Sequence, residues 1–111
     1  MTSPPLPFDV IATRILDVLD DAGSASRQLE VRMGRPRIEP TGEWAIAYQV
    51  VGLDQDAVYT VFGFDAIQAF QAALLVIGGL LAGLDEAKQG RLRWAGDPDL
   101  GFPQPPSAFK L

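Results

Sequence analysis

The chain has 111 residues, carries a formal net charge of -5 and contains neither cysteine nor histidine. Disulfides, thiolate chemistry and histidine-based catalysis are therefore excluded, and a zinc site would need carboxylates alone. The acidic charge disfavours nucleic acid, because its phosphates would be repelled. We expect no metal, no cofactor and no nucleic-acid partner.

The length is that of one domain, so we predict a single domain over residues 1–111. Both ends are rich in proline and are predicted to be extended tails, at about 1–8 and 103–111. The N-terminal residues lack the features of a secretory signal, so the expected location is the cytoplasm. Residues 66–84 are uncharged, but they contain Gln68 and Gln71, and their strictly apolar part is shorter than the ~20 residues of a membrane span. We expect a core helix there and no membrane association.

Residues 10–19 allow two interpretations. Ile11, Ile15 and Leu19 recur at helical spacing, but β-branched residues are frequent in this stretch and favour a strand. We predict a strand, followed by turn residues that would connect it to the next one. In residues 28–33 apolar and polar side chains alternate, which is the period of a half-buried strand.

Two further strands are predicted before the helix. Residues 37–43 contain proline, threonine and glycine in sequence and are interpreted as a loop. In residues 44–51, Trp44 and Tyr48 would share one face of a strand with the apolar residues between and after them. Residues 57–62 are rich in β-branched and aromatic side chains and are predicted as the next strand.

A long helix is predicted to begin after Asp65. Asp65 is a suitable N-cap, and Gln68 three residues later completes a capping-box pattern. Apolar residues then recur at spacings of three and four, forming a stripe that would face the sheet. The stripe consists of Ile67, Phe70, Leu74, Ile77, Leu81 and Leu84. Gly83 or Gly90 is expected to mark the end region of the helix.

The last short strand is predicted at residues 91–94, with Leu92 and Trp94 directed inward. Strands joined by short turns run antiparallel, and one amphipathic helix can cover one face of such a sheet. The predicted fold is therefore α+β, an antiparallel sheet of four to five strands with one long helix packed on one face, in the order β-β-β-β-α-β. These patterns leave the order of strands within the sheet open.

Several segments carry a resemblance to a known family. Residues 63–74 read GFDAIQAFQAAL, which is similar to a G-x-D-A-x-Q-A-x-Q-x-A-L helix signature of small uncharacterised bacterial proteins. The GRP at 34–36, the LRW at 92–94 and the LGFP at 100–103 resemble further motifs of that family. The resemblance extends from about residue 12 to residue 103. It implies a bacterial origin and a stand-alone domain of unknown function, and it implies no catalytic residue.

Two groups of polar residues are candidate ligand sites. Arg32, Arg35 and Arg37 lie close together in an acidic chain, and guanidinium groups bind carboxylate or phosphate bidentately. The alternative is a charged edge strand that blocks pairing between sheets. Gln68 and Gln71 could bind a ligand or a partner's backbone through their amides. The alternative is that Gln68 caps the helix and Gln71 is solvated.

Aromatic residues are a further candidate set. Trp44, Tyr48, Tyr59, Trp94 and Phe102 could together line a pocket. We interpret them as core residues, because aromatic side chains supply much of the buried area in small domains.

The outer side of the helix is a candidate interface. A helix on a one-sided sheet is expected to be polar on its outer side, whereas Leu75, Gly79 and Ala82 make this side apolar. Such a strip of small and apolar residues would let another chain pack closely. The alternative is burial beneath the proline-rich tails.

We therefore expect a non-enzymatic protein-interaction module without catalytic residues, acting as a homodimer or with a protein partner. Some small acidic bacterial proteins are immunity proteins, and by analogy this chain could have such a partner-binding role. The alternative function is a small anion- or ligand-binding domain that uses the Arg35/Arg37 loop.

Overall fold

A computed structural model describes residues 7–53 and 56–104 of the chain. These residues form a six-stranded sheet and two helices, so the predicted α+β class is confirmed, with more strands than expected. The strands are β1 (Val10–Leu19), β2 (Ala25–Gly34), β3 (Arg37–Ile38), β4 (Trp44–Val51), β5 (Val58–Gly63) and β6 (Leu92–Arg93). The helices are α1 (Ala66–Ala82) and α2 (Asp85–Lys88).

All strand pairs in the sheet are antiparallel. One edge of β4 pairs with β5. Its other edge pairs with two strands in turn: residues 48–51 pair with β2, and residues 44–45 pair with β3. β1 pairs with the far side of β2, and β6 pairs with the end of β1. The order across the sheet is therefore β5, β4, β2 with β3, β1 and β6. Within the described residues, one edge of the sheet is β5, and the other is β1, with the short β6 beside its last residues.

β1 is a strand over the whole of residues 10–19, which confirms the predicted strand. It forms a hairpin with β2, and the turn between them is fixed by Asp20. Asp20 Oδ1 accepts hydrogen bonds from the N–H groups of Ala22 and Ser24, both at 2.9 Å. Gly23 has a φ of 83°, a conformation that glycine adopts without steric cost. A short turn with these residues favours a hairpin over the alternative helix.

The core lies between α1 and the sheet, and α1 lies over β4 and β5. Its largest fully buried side chains are Leu16, Val18, Leu29, Val31, Ile46, Ile77, Leu81 and Leu92. Gly63 allows the close approach of α1, because a Cβ at this position would lie 2.5 Å from the backbone nitrogen of Ala69.

The predicted start of α1 is confirmed. Asp65 Oδ1 accepts a hydrogen bond from the Gln68 N–H at 2.7 Å, and Gln68 Oε1 accepts one from the Phe64 N–H at 2.6 Å. In a capping box the second bond would instead involve the N–H of the cap residue itself. Both bonds satisfy N–H groups near the helix start, where the first turn offers no intrahelical acceptor.

The inward side of α1 differs in part from the predicted stripe. Ile77 and Leu81 are buried, but Ile67 is 69% exposed. Ala69 and Ala73 are fully buried in its place, and the backbone of Ala69 lies directly against Gly63. The remaining members of the stripe, Phe70, Leu74 and Leu84, pack against the core while partly exposed.

Residues 98–104, here called the closing segment, cover the part of the sheet that α1 leaves open. Leu100 and Phe102 pack against the core. A Cβ at Gly78 of α1 would lie 2.9 Å from the Pro103 carbonyl oxygen and 3.0 Å from Phe102 Cβ, so the segment rests directly on the helix. Of the predicted tails, residues 1–6 and 105–111 lie outside the described residues. Phe8 packs on Gly34 of β2.

Three local features differ from the sequence prediction. β3 lies in the stretch predicted as a loop, and the one-turn helix α2 follows α1. The predicted last strand is shorter, and Trp94, predicted to face inward, is 37% exposed. Leu92 is buried as predicted. A two-residue strand has no periodicity of its own, because only its pairing with β1 or β4 defines it.

Candidate functional site

The arginines of the predicted site are held in separate ion pairs. Arg35 Nε lies 2.7 Å from Asp9 Oδ2, and Arg37 Nε lies 3.1 Å from Glu39 Oε1. Both guanidinium groups are more than half exposed. An anion at this loop would therefore compete with two carboxylates of the chain itself.

Arg32 belongs to a different group, on the face of the sheet opposite α1. Its Nε pairs with Glu30, and its Nη1 donates to Gln49 Oε1 at 3.3 Å. Gln49 is buried, and its Nε2 donates to the Asp56 carbonyl at 2.7 Å. This network satisfies a buried amide, so Arg32 has a structural role within the sheet and is not directed to the loop of Arg35 and Arg37.

The predicted glutamines and the outer helix strip occupy different parts of α1. Gln68 is engaged in the N-terminal cap, and Gln71 is exposed. Leu75 is half-buried, and Gly79 is exposed with no atom within 4 Å of an added Cβ. Ala82 is exposed and borders a pocket of about 230 Å³ against the closing segment. The strip is therefore flanked by the closing segment on one side and open at its centre.

Exposed large apolar side chains are concentrated at β5 and the start of α1, and we call this surface the β5 edge. Its large side chains are Val58, Tyr59, Phe62, Phe64 and Ile67, which are 43–87% exposed. Residues 57–64 contain no charged side chain. Sequence reasoning identified β5 as a strand, but it could not place it at the edge of the sheet.

Of the five aromatic residues interpreted as core, Tyr48 is buried and Trp44 and Phe102 pack against the core, whereas Tyr59 and Trp94 are exposed, so the interpretation is wrong for these two. Tyr48 and Tyr59 stack across β4 and β5, with ring centroids 5.6 Å apart and an interplanar angle of 28°. Burial, with a smaller effect from the charge of an ionised Tyr59, raises the pKa of Tyr48. A second aromatic group forms around Arg14, which the sequence reasoning did not single out.

Arg14 lies on the α1 side of β1, in contact with two aromatic rings. Its guanidinium carbon is 3.8 Å from the ring centroid of Trp94 and 5.0 Å from that of Phe102. Its Nη1 donates to the Leu100 carbonyl at 2.9 Å. Gly101 lies against both Trp94 and Arg14, with a φ of 79°, and a Cβ there would collide with each of them.

A groove runs beside this cluster, between β1, β2, α1 and the closing segment. Its volume is about 280 Å³. Apolar side chains supply most of its walls, and Arg14 is the charged residue among them. Its lining includes Ala12, Arg14, Val31, Met33, Leu74 and Phe102.

One sequence signal could have identified Arg14. In β1, Leu16 and Val18 face the core, and the period of two places Arg14 and Ala12 on the same face. A charged residue on the buried side of a strand needs a partner, so this pattern indicates that other groups of the protein contact the guanidinium of Arg14. The aromatic partners could not be predicted, because they lie far away in the chain.

Electrostatic effects outside these surfaces tie α2 to the sheet. Glu86 Oε2 accepts a hydrogen bond from Arg27 Nη2 at 2.6 Å. A hydrogen bond with its own backbone, aided by the hydrogen bond and charge of Arg27, holds the pKa of Glu86 below its ordinary value despite partial burial.

Within residues 7–53 and 56–104, no cluster of three or more carboxylates has the geometry of a metal site. No helix in the described part of the chain is long and apolar enough to cross a membrane. The chemistry that the exposed surfaces offer is thus backbone pairing at β5, apolar contact, and hydrogen bonding by arginine.

Together these features define a two-layer α+β domain with an apolar sheet edge and an arginine-lined groove. A family model described as a domain of unknown function, DUF6968, matches residues 12–104, and the chain belongs to this family. The comparison with curated proteins gave no match, and the comparison with solved structures gave none either. Membership of a family without assigned function is therefore confirmed, whereas the bacterial origin and the helix signature stay predictions.

Proposed function

We propose that this domain is a non-enzymatic interaction module that forms a homodimer through the β5 edge. The supporting observation is an exposed edge strand that no charged residue protects between residues 57 and 64. An edge strand presents unpaired N–H and C=O groups, and natural proteins usually block such edges with charges, proline or bulges. β5 contains none of these between Val58 and Gly63.

The opposite edge of the sheet differs from β5. There β6 pairs with Asp17 and Val18 of β1, and the rest of β1 carries the charged side chain of Arg14, which donates to the closing segment. These features oppose strand addition at β1. The asymmetry supports β5 as the pairing edge.

The residues of β5 are complementary to a second copy of themselves. Tyr59 and Val61 lie on the α1 side of the sheet, since they pair with Tyr48 and Ile46. A two-fold axis at Thr60 would place Tyr59 against Val61 of the second copy, Val58 against its Phe62, and the two Thr60 side chains together. Aromatic–β-branched and Thr–Thr pairs each contribute roughly 0.2–1 kcal/mol across strands.

This arrangement would also bring two copies of α1 side by side, because α1 lies over β4 and β5. Val76 lies on the side of α1 opposite Gly78 and the closing segment, since two residues advance a helix by about 200°. Val76 is 43% exposed, and the small Ala72 lies one turn before it. A small neighbour of this kind would allow two helices to approach.

Solution mass by light scattering over a range of concentrations tests the proposal. We expect wild-type protein to reach twice the protomer mass of 12.0 kDa. Thr60→Lys would place two ammonium groups directly opposite each other at the axis and should yield a monomer with an unchanged unfolding curve. Thr41→Lys makes the same charge change in an exposed loop and is the control.

Three results would contradict the β5 dimer. Wild-type protein could stay monomeric at high concentration, or Thr60→Lys could leave the dimer intact. Leu75→Glu could instead dissociate the dimer while Thr60→Lys does not, which would assign the contact to the strip of Leu75, Gly79 and Ala82.

The alternative function is anion binding by the loop of Arg35 and Arg37. The exposure of both guanidinium groups supports anion binding. Their ion pairs with Asp9 and Glu39 argue against it, because an anion would have to displace these carboxylates. A saturable rise of the melting temperature with phosphate, abolished in Arg35→Ala/Arg37→Ala, would favour it.

A further inference from the structure

We propose that the groove beside Arg14 binds a small ligand with one carboxylate and an apolar body. This site is independent of the β5 edge, because the groove lies on the side of α1 that carries Leu74 and Gly78. A failed dimer test would leave it unaffected.

The guanidinium group of Arg14 has no carboxylate partner among the described residues, whereas those of Arg27, Arg32, Arg35 and Arg37 each have one. Arg91 and Arg93 also lack a carboxylate partner, but they do not line the groove. The bond from Nη1 to the Leu100 carbonyl is the one hydrogen bond of the Arg14 side chain within that part of the chain. A guanidinium has five N–H donors, so donors remain for a ligand.

The stacking on Trp94 and Phe102 fixes the orientation of this group. Aromatic rings contact the faces of a guanidinium, and its N–H groups lie in the plane, so stacking leaves them available. Because Gly101 has no side chain, the backbone lies directly against Trp94 and Arg14 and holds the cluster together. A preorganised arginine loses little freedom when it binds, which favours affinity.

The walls of the groove determine the rest of the ligand. Val31, Met33, Leu74 and Phe102 are apolar, and Arg14 supplies the one charge of the lining. A dianion such as a phosphate monoester would need a second cation, especially in a chain with a net charge of -5. A monoanionic carboxylate matches a single arginine.

The volume sets the size of the ligand. At about 30 Å³ for each water-sized group, a groove of about 280 Å³ takes on the order of nine such groups. Octanoate, with about ten non-hydrogen atoms, is a probe of matching size and charge. The neutral 1-octanol has nearly the same shape, and acetate has the same head group without the chain.

Titration of full-length protein with octanoate, 1-octanol and acetate tests the site. Tryptophan fluorescence and two-dimensional amide NMR spectra are the readouts, because Trp94, one of the two tryptophans, contacts Arg14. We expect saturable octanoate binding with shifts at β1, β2 and the closing segment, and much weaker effects of the other two compounds. Arg14→Gln should weaken octanoate binding at least about tenfold, the loss typical of a charge-assisted contact.

Two further variants keep the test decisive. Ala12→Phe would place a ring in the groove from its exposed rim while Arg14 stays in the chain, and we expect it to abolish octanoate binding in a folded protein. Arg35→Gln removes an exposed, ion-paired guanidinium outside the groove and should bind octanoate normally. The site is refuted if octanoate does not bind saturably, if 1-octanol binds equally well, or if Ala12→Phe still binds.

Discussion

Two adjacent glycines of α1 provide a matched test of how the closing segment packs. An alanine at Gly79 meets no atom within 4 Å. At Gly78 the new Cβ would lie 2.9 Å from the Pro103 carbonyl oxygen and 3.0 Å from Phe102 Cβ. We predict that Gly79→Ala stabilises the protein and that Gly78→Ala does not.

The magnitudes follow from two opposing effects. Alanine is more favourable than glycine in a helix interior by about 0.8–1.0 kcal/mol, and this gain applies at both positions. At Gly78 the extra methyl displaces a packed segment, which costs about 1–3 kcal/mol. We expect Gly79→Ala to raise the free energy of unfolding by up to about 1 kcal/mol, and Gly78→Ala to lower it by about 0–2 kcal/mol.

Urea titrations followed by circular dichroism measure both values. For a domain of this size class, about 1 kcal/mol corresponds to a melting-temperature shift of roughly 4–8 °C. Equal shifts of the same sign would refute the contact between Gly78 and the closing segment. If the stabilisation by Gly79→Ala changes with protein concentration, the strip of Leu75, Gly79 and Ala82 instead lies in an interface.

Two other predictions concern the core and the pH dependence of stability. Ile77 is fully buried and Ile67 is 69% exposed, so Ile77→Ala should lower the free energy of unfolding by about 2–5 kcal/mol and Ile67→Ala by less than about 0.5 kcal/mol. Similar losses in denaturant titrations would mean that the inward side of α1 is assigned wrongly. A hydrogen bond with its own backbone and the nearby Arg27 lower the pKa of Glu86. The ionised Glu86 therefore stabilises the fold at pH values above the ordinary pKa of a glutamate. This stabilisation is lost as the pH falls through the pKa of Glu86 in the folded state. The free energy of unfolding should therefore fall more steeply between about pH 6 and pH 3 for wild type than for Glu86→Gln. An equal decrease in the two proteins would contradict this.

Much of the secondary structure could be predicted because it is encoded locally. The alternation in β2 and the β-branched residues of β1 and β5 identified strands, since side chains of a strand point to alternate faces. Asp65 and Gln68 located the start of α1 through hydrogen bonds that span three to four residues. Helix and strand periods depend on neighbours in sequence, so they can be interpreted without the fold.

The candidate sites were less predictable, because each depends on residues far apart in the chain. The neighbouring Arg35 and Arg37 suggested one anion site, but Asp9 reaches Arg35 from the start of β1. The backbone of Ala69 lies against Gly63 while Ile67 is exposed, a placement that depends on how α1 sits on the sheet and that helical periodicity does not include.

By itself, the sequence determined the fold class, most strands and the start of α1, through local periodicity and capping. Only the tertiary structure decided that β5 is an edge and that Arg14 contacts Trp94 and Phe102, 80 and 88 residues further along the chain. Strand order and side-chain clusters depend on which residues far apart in the sequence pack together. Many such pairings are possible, and the one that forms is the one that allows the whole core to pack, so no single segment of the sequence determines it.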